Sequence, residues 1–409
     1  LGHGCLAIHW PVVDHPPGPF GGGLAGGSGR ALRRRVYRHR GAVPPGGAGL
    51  AVAIHRRRRA PRRAVVVVRA GHRSDRRAER RRSAAAARTG RQRPAPLAPP
   101  PLIRPHCSER QSMNPDLELQ YTQALKDALD SGTEVLKKGG SSVDAVVAAI
   151  STMEDNPLFN AGKGSVFTKK GLNEMDAAIM NGRNLAAGAI AGVRNIRNPI
   201  QLAREVMLHS GHVLLSGSGA AEFAINQGLT MTPDEYFFNQ LRYDQWVEIR
   251  DTNFTQLDHK GDNLKSHTPD HKFGTVGAVA LDSEGNLAAG TSTGGMTNKR
   301  FGRIGDSPIV GAGTYANNST CAISCTGHGE FFLRAVVAHD VSCLMEYKGL
   351  TLHEACNVVV KDKLVKMGGE GGLIAVDTKG NFEFCFNSAG MYRGMRNSEG
   401  KEAVAFYGQ

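Results

Sequence analysis

The sequence predicts an α/β protein in which antiparallel sheets are covered by helices. Two predicted hairpins carry this prediction: residues 276–291 and 373–386, each with an Asp-x-x-Gly-Asn turn at its centre. Between them, apolar residues recur at helical spacing over 330–345 and 352–367. Because hairpins connect antiparallel strands, this order favours helix-covered antiparallel sheets over a parallel doubly wound sheet.

Further helices are predicted ahead of the first hairpin. Apolar residues recur at roughly helical spacing over 117–129. Ser141-x-x-Asp144 resembles a capping box that opens the next apolar helix. Asn198-Pro199 marks another helix start, because proline is tolerated in the first helical turn.

Charge divides the chain into two compositions. The 409 residues carry a formal net charge of +14. Residues 1–112 hold 24 Arg, no Lys and four acidic residues, a net of +20, whereas residues 113–409 carry −6. The overall charge therefore does not by itself indicate a nucleic-acid-binding protein, because the excess lies in one segment.

Residues 1–112 are rich in Arg, Gly, Pro and Ala, have almost no periodicity, and are predicted not to pack as a domain. Three interpretations stay open: a basic arm that binds nucleic acid, an Arg-rich organellar transit peptide, or translated sequence foreign to the natural protein. The third is favoured, because lysine is absent and aromatic residues for base stacking are sparse. A natural start at or near Met113 is then one possibility.

Neither the apolar runs nor the cysteines indicate a membrane or secreted protein. The longest apolar runs, residues 64–68 and 145–150, are far shorter than the roughly 18 residues of a transmembrane helix. The cysteines show no Cys-x-x-Cys spacing and predict buried, reduced thiols in a cytoplasmic protein. They are Cys5, Cys107, Cys321, Cys325, Cys343, Cys356 and Cys385.

Residues 230–273 are polar, charged and weakly periodic, and are predicted to form a long exposed linker. His267 and His271 lie four residues apart within it. No Cys or Glu partner pattern accompanies them, so a solvated loop is favoured over a metal site.

The pair Gly274-Thr275 follows this linker directly, at the start of a predicted buried strand. Cleavage between the two would give Thr275 its own general base, because a free α-amine with a pKa of about 7.7 to 8.0 can accept the hydroxyl proton. A Gly-Thr pair before a strand is common in itself, since β-branched residues favour strands. Three glycine-flanked blocks follow: Thr291-Ser-Thr-Gly-Gly295, Gly302-Arg-Ile-Gly-Asp-Ser-Pro308 and Cys325-Thr-Gly-His-Gly-Glu330.

With these blocks in the family's order and spacing, the chain from about Met113 onward resembles the plant-type asparaginases, or isoaspartyl peptidases, which are N-terminal nucleophile hydrolases. The resemblance implies a four-layer αββα sandwich and self-cleavage into an α part, residues 113–274, and a β part, residues 275–409. Thr275 would attack the side-chain amide of an aspartyl group and form an acyl-enzyme. The expected substrates are L-asparagine and N-terminal β-aspartyl dipeptides.

The same resemblance implies how the nucleophile is supported. Thr293 matches a second threonine whose hydroxyl orients that of Thr275. Thr326 and Gly327 match the pair that binds the oxyanion and contacts the substrate. Asn160, in a Phe-Asn-Ala-Gly segment, would lie beside Thr275.

Substrate recognition is implied to fall on Arg303 and Asp306. Arg303 can bind an α-carboxylate through two parallel N–H bonds, and Asp306 can bind the α-ammonium group. His328 and Gly329 would complete this part of the site. Without the neighbouring blocks, an ordinary ion pair between Arg303 and Asp306 would be the default interpretation.

The loop over residues 153–163 corresponds to one that wraps a structural sodium ion in relatives. Its backbone carbonyl ligands would be those of Met153, Glu154, Asn156, Phe159, Ala161 and Lys163. No cofactor is expected for catalysis. The resemblance also implies a dimer of αβ units that acts on small molecules. A cytoplasmic location is expected from the cysteines, and no membrane or nucleic-acid partner is expected from the apolar runs and the composition.

Two sequence features qualify this assignment. Family members begin with an apolar strand that ends in His-Gly-Gly-Ala-Gly, and this chain has no such block, so a central strand is expected to be missing. Gly274 favours the asparaginases over glycosylasparaginases and threonine aspartases, which carry Asp before the threonine. From other classes, an uncleaved inactive scaffold and a nucleic-acid binder acting through its basic arm remain alternatives.

Overall fold

The computed structural model describes residues 64–73, 114–252, 255 and 274–408. The strands within these ranges are β1 (Val65–Arg73), β2 (Met175–Asn181), β3 (Ala187–Val193), β4 (Leu214–Ser216), β5 (Val276–Leu281), β6 (Leu287–Thr293), β7 (Thr314–Ala316), β8 (Cys321–Gly327), β9 (Gly371–Asp377), β10 (Phe382–Phe386), β11 (Gly390–Asn397) and β12 (Glu402–Tyr407). The helices are α1 (Pro115–Lys137), α2 (Ser142–Glu154), α3 (Pro199–His209), α4 (Gly217–Asn226), α5 (Gln240–Ile249), α6 (Gly329–Ala335), α7 (Val337–Lys348), α8 (Leu352–Asn357) and α9 (Val365–Met367). A π-helical stretch, Val358–Leu364, joins α8 to α9.

The strands form two sheets. The larger has the order β12-β11-β1-β5-β6-β2-β3-β4, and the smaller has the order β10-β9-β8-β7. Neighbouring strands are antiparallel except for β3 and β4. Apolar residues of α1 to α4 pack on one face of the larger sheet, those of α6 to α8 pack on the smaller sheet, and a third cluster joins the inner faces. The predicted four-layer αββα sandwich is therefore confirmed.

β1 lies at the centre of the larger sheet, between β11 and β5. Val66 and Val68 pack towards the helices, while Val65 and Val67 face the smaller sheet. Four consecutive valines suit a strand that is buried on both faces. The expectation of a missing central strand was therefore wrong, since a strand with the sequence VVVVRAGHR fills that position without the family's glycine block. Part of the Arg-rich segment thus belongs to the packed sandwich.

The helices predicted before the first hairpin are present. α1 extends the predicted pattern to Lys137, and α3 begins at Pro199. The Ser141 hydroxyl accepts the Asp144 backbone N–H at 3.1 Å, which caps α2 as the sequence motif predicts.

Residues 230–252 differ from the predicted exposed linker. They form a short 3₁₀ turn and α5. Arg242 of α5 is fully buried, and Trp246 packs in an aromatic cluster. Long polar side chains can pack through their stems, which hides a buried face from a hydrophobicity pattern. The later part of that stretch, including His267 and His271, lies outside the described residues.

The membrane and cysteine expectations can be compared with the described residues. None of their helices is both long enough and apolar enough to cross a bilayer. Their cysteines are free thiols, namely Cys321, Cys325, Cys343, Cys356 and Cys385. Cys5 and Cys107 lie outside the described residues.

Candidate active site

Thr275 stands immediately before β5, opposite the end of β6. Its hydroxyl donates to the Thr293 hydroxyl at 3.1 Å. Thr293 Oγ1 also accepts the Gly295 N–H at 2.9 Å. The Gly295 amide therefore fixes the hydroxyl that in turn orients Thr275. Gly274 is buried and Thr275 is partly exposed, so the Gly274–Thr275 junction lies at the edge of the packed interior.

Asn160 supports the loop that follows Thr293. Its Nδ2 donates to the Gly295 carbonyl oxygen at 2.8 Å, and its backbone carbonyl oxygen accepts the Gly294 N–H at 3.0 Å. An added Cβ at Gly294 would lie 2.4 Å from Asn160 Oδ1, so a glycine is needed there. Asn160 is thus brought to the Thr293 side of the site, and its hydrogen bonds go to residues other than Thr275.

Thr326 and Gly327 end β8, beside the start of α6. Thr326 is almost fully buried. Gly327 makes a close backbone approach, because an added Cβ would lie 2.5 Å from the Glu370 carbonyl oxygen. The His328 N–H donates to that same carbonyl at 3.0 Å, which ties the next backbone amide to the turn.

Arg303, Asp306 and Gly329 meet at one point. An added Cβ at Gly329 would lie 2.9 Å from Arg303 Nη2 and 3.0 Å from Asp306 Oδ1. Arg303 does form an ion pair, but with Glu330: Nε and Nη2 donate to the two carboxylate oxygens at 3.0 and 3.1 Å. Burial favours a raised pKa for Glu330, but the hydrogen bonds and charge of Arg303 outweigh it and lower that pKa.

Asp306 is a buried carboxyl group with spare hydrogen-bonding capacity. Only 5% of it is exposed, and Oδ2 has no hydrogen-bond partner among the described residues. Burial raises its pKa to about 6, against the opposing effects of its own backbone, Arg69 and Arg303. Such a group can accept hydrogen bonds from a ligand ammonium.

Two buried cations close to the candidate site were missed in the sequence. Arg69 of β1 donates to the Thr275 carbonyl oxygen at 2.9 Å. Its only sequence signal is its position directly after four valines, which continues the alternation of a buried strand. Lys299 is buried near the turn after β6, and its Nζ donates to the Glu174 carbonyl at 2.8 Å. Nothing in the local sequence distinguishes Lys299 from a surface lysine.

The loop over residues 153–163 folds tightly on itself. An added Cβ at Gly162 would lie 2.4 Å from the Glu154 carbonyl oxygen, and one at Gly164 would lie 2.1 Å from that of Phe159. Among the described residues, no group of three or more His, Cys, Asp or Glu side chains could hold a metal ion.

The fold and the site define a class: this is a hydrolase of the N-terminal nucleophile fold. Comparison with known proteins narrows the class. The model of the asparaginase family matches residues 105–406, and the chain belongs to that family. The match begins after β1.

Several relatives span most of the same region. The isoaspartyl peptidase of Escherichia coli (strain K12) is 51% identical over 284 residues, covering 69% of this chain and 88% of that protein. A putative isoaspartyl peptidase/L-asparaginase of Dictyostelium discoideum is 48% identical over 309 residues, covering 70% and 89%. The isoaspartyl peptidase/L-asparaginase of Bos taurus is 40% identical over 293 residues, covering 71% and 91%.

Proposed function

We propose that this hydrolase cleaves itself before Thr275 and then uses that threonine as its nucleophile. It converts L-asparagine to L-aspartate and ammonia, frees N-terminal β-aspartyl residues from dipeptides, or does both. The observation that carries the proposal is the 3.1 Å contact between the Thr275 and Thr293 hydroxyls, directly after Gly274. The names of the relatives, isoaspartyl peptidase and isoaspartyl peptidase/L-asparaginase, agree with this substrate class.

Self-cleavage begins when Thr275 Oγ1 attacks the Gly274 carbonyl carbon. The peptide C–N bond breaks, the threonine nitrogen takes up the hydroxyl proton, and Gly274 becomes an ester on the threonine oxygen. Water then hydrolyses the ester. The products are a Gly274 carboxylate and an N-terminal Thr275 whose amine serves as the base in turnover.

In turnover, Thr275 Oγ1 attacks the side-chain carbonyl carbon of the substrate, and the α-amine accepts the hydroxyl proton. The amide C–N bond breaks, and ammonia or the peptide amine leaves with that proton. Water attacks the acyl-enzyme and releases the aspartyl product. Thr326 and Gly327 are the proposed donors to the oxyanion, where one well-placed donor contributes about 3 to 4 kcal/mol of barrier lowering.

Recognition of the amino-acid head follows from the charges around Gly329. Asp306 Oδ2 accepts a hydrogen bond from the α-ammonium group of the substrate, and Arg303 binds the α-carboxylate. Glu330 already holds Arg303 by two hydrogen bonds. The substrate carboxylate would therefore share the Arg303 guanidinium with Glu330. Glu330 holds the guanidinium in place for the substrate, but it also neutralises part of its positive charge.

The remaining expectations are part of the same proposal. No cofactor takes part in catalysis, and a sodium ion stabilises the loop over residues 153–163. The working enzyme is a dimer of αβ units in the cytoplasm. Its partners are small-molecule substrates, without nucleic acid or a membrane.

The proposal is tested with wild type, Thr275→Ala and a control, Thr320→Ala. Thr320 is a buried threonine near the start of β8 that bonds Ser342. Intact mass spectrometry and release of ammonia from L-asparagine are measured. We expect wild type and the control to yield a chain beginning at Thr275 and to release ammonia, whereas Thr275→Ala does neither. An uncut, inactive wild type would favour the scaffold alternative, and an active Thr275→Ala would exclude the proposed nucleophile.

A further inference from the structure

Arg69 places a positive charge at the centre of the sandwich. It is fully buried and lies on the same face of β1 as Val65 and Val67, which face the smaller sheet. Gly277 stands opposite it on β5. An added Cβ there would lie 2.1 Å from Ser324 Oγ, so the glycine lets the two sheets approach closely around the guanidinium.

The guanidinium connects two segments of the candidate site. Nη1 donates to the Thr275 carbonyl oxygen at 2.9 Å, and Nε donates to that of Ser324 at 3.1 Å. Nη2 donates to Ser324 Oγ at 3.1 Å and to the Cys325 carbonyl oxygen. Thr275 is the proposed nucleophile, and Cys325 directly precedes Thr326 of the proposed oxyanion pair. Arg69 therefore links the two halves of the reaction centre.

Packing alone does not account for this residue. Burial lowers the pKa of Arg69 to about 10, against smaller opposing effects of Cys325 and Asp306. Its hydrogen bonds to described residues all end on uncharged oxygens. Burying a charge costs free energy when no opposite charge is hydrogen-bonded to it, so Arg69 contributes to the geometry and electrostatics of the site rather than to a net gain in folding free energy.

We propose that Arg69 is a positioning residue of the hydrolase, an inference that rests on the proposed function. It holds the Thr275 main chain against the strand that leads into Thr326, which fixes the nucleophile relative to the oxyanion donors. Its charge favours the neutral, proton-accepting form of the amine that cleavage frees at Thr275. The same charge favours the ionised form of Asp306.

Other charged or titratable groups belong to the candidate active site. They are Lys299 after β6, Arg303 and Asp306 in the segment before β7, Cys325 in β8, and His328 and Glu330 at the start of α6. Arg69 differs from them because it touches the Thr275 carbonyl group directly. Removing its charge should therefore affect the new amine and Asp306 together, and in the same direction.

The test compares full-length wild type with Arg69→Met, which removes both charge and hydrogen bonds, and Arg69→Lys, which keeps the charge but loses the planar fork. Arg393→Met is the matched control. Arg393 is a buried arginine on β11, directly opposite Arg69 in the register of β1 and β11. Its guanidinium lies over the rings of Phe384 and Phe386, and its Nη1 donates to the Met391 carbonyl oxygen at 2.9 Å.

The rate of self-cleavage and the pH profile of kcat/KM for L-asparagine are measured, together with Tm. For Arg69→Met we expect both self-cleavage and kcat to fall at least about tenfold. The acidic limb of kcat/KM should move up by about one pH unit, because the amine and Asp306 both hold their protons more tightly. Arg69→Lys should keep the acidic limb in place while kcat still falls. The Arg393→Met control should retain kcat and the pH profile.

Wild-type kcat and pH profile in folded Arg69→Met would overturn the inference, even if Tm falls. Should Arg69→Met not fold, Arg69→Lys decides: an unchanged kcat overturns the inference, and a lower kcat with an unmoved acidic limb supports it. Thr275→Ala is assayed in parallel. If that variant is active, the proposed function fails and the inference with it. If it is inactive, the result at Arg69 stands on its own.

Discussion

Asp306 must satisfy two opposing requirements. An ionised carboxylate is needed to bind a substrate ammonium group, yet burial raises the pKa of Asp306 from 3.8 to about 6. The folded state therefore binds the proton more tightly than the unfolded state does. Stability from this group is fully present below about pH 4 and is lost as pH rises to about 6. Above that pH, substrate recognition is favoured at the expense of folding free energy.

Replacing Asp306 should separate these two effects. In the uncleaved Thr275→Ala background, we expect Asp306→Asn to raise the free energy of unfolding at pH 7.5 by about 1 to 3 kcal/mol. The difference should be small at pH 4, because Asp306 is then protonated in the folded state and neutral like Asn. Urea unfolding at the two pH values measures this. A stability gain that is equal at both pH values would contradict the role of ionisation.

At the scale of elements, local motifs were enough to predict the hairpins and the Ser141 cap, whereas the roles of Arg303 and Asp306 came from the family resemblance. Each of these local motifs depends on residues close together in the chain. β1 could not be predicted in the same way, because its partners β5 and β11 lie about 200 and 320 residues further on. Its four valines became recognisable as a strand only through this pairing. The contact between Arg69 and Thr275 depends on the same long-range register.

Removing β1 should disrupt the sandwich. A chain of residues 113–409 would leave the facing edges of β5 and β11 unpaired, and each buried unpaired group costs about 1 to 3 kcal/mol. We expect this chain to be insoluble or uncleaved, and residues 58–409 to cleave as the full chain does. Mass spectrometry and circular dichroism would show this. Normal folding and cleavage of residues 113–409 would mean that β1 is dispensable.

The loop over residues 153–163 permits a test of the proposed sodium ion. Wild type should have a higher Tm in sodium chloride than in choline chloride of equal ionic strength. Gly164→Ala should lower Tm and abolish that difference, because its Cβ would lie 2.1 Å from the Phe159 carbonyl oxygen. Gly219→Ala in α4 is the control, since an added Cβ there meets nothing within 4 Å. A Tm that does not respond to sodium would exclude a stabilising ion.

At the scale of the whole molecule, the proposed cut separates strands that alternate within one sheet. The piece ahead of the cut, residues 1–274, would contribute β1 to β4, and the β part would contribute β5 to β12. The sheet order places β1 between β11 and β5. β6 of the β part likewise pairs with β2 of the α part. The two pieces therefore share backbone hydrogen bonds along three strand pairs.

This alternation predicts that the cleaved pieces stay together. We expect them to co-elute in size-exclusion chromatography in high salt, which screens charges but leaves backbone pairing and apolar burial intact. They should separate only in denaturant. Mass spectrometry of the eluted peak identifies both pieces. Separation under native conditions would contradict the interleaved sheet.

The alternating order of strands also determines whether an unfolded molecule can refold after cleavage. Before the cut, β1 and β5 belong to one polymer, and their meeting is a first-order event that dilution does not slow. After the cut, an unfolded molecule would have to find its other half by diffusion, so recovery would become second-order in concentration. Cleavage would thus act as a one-way step, and a mature enzyme that unfolds in dilute solution would seldom regain its native pairing.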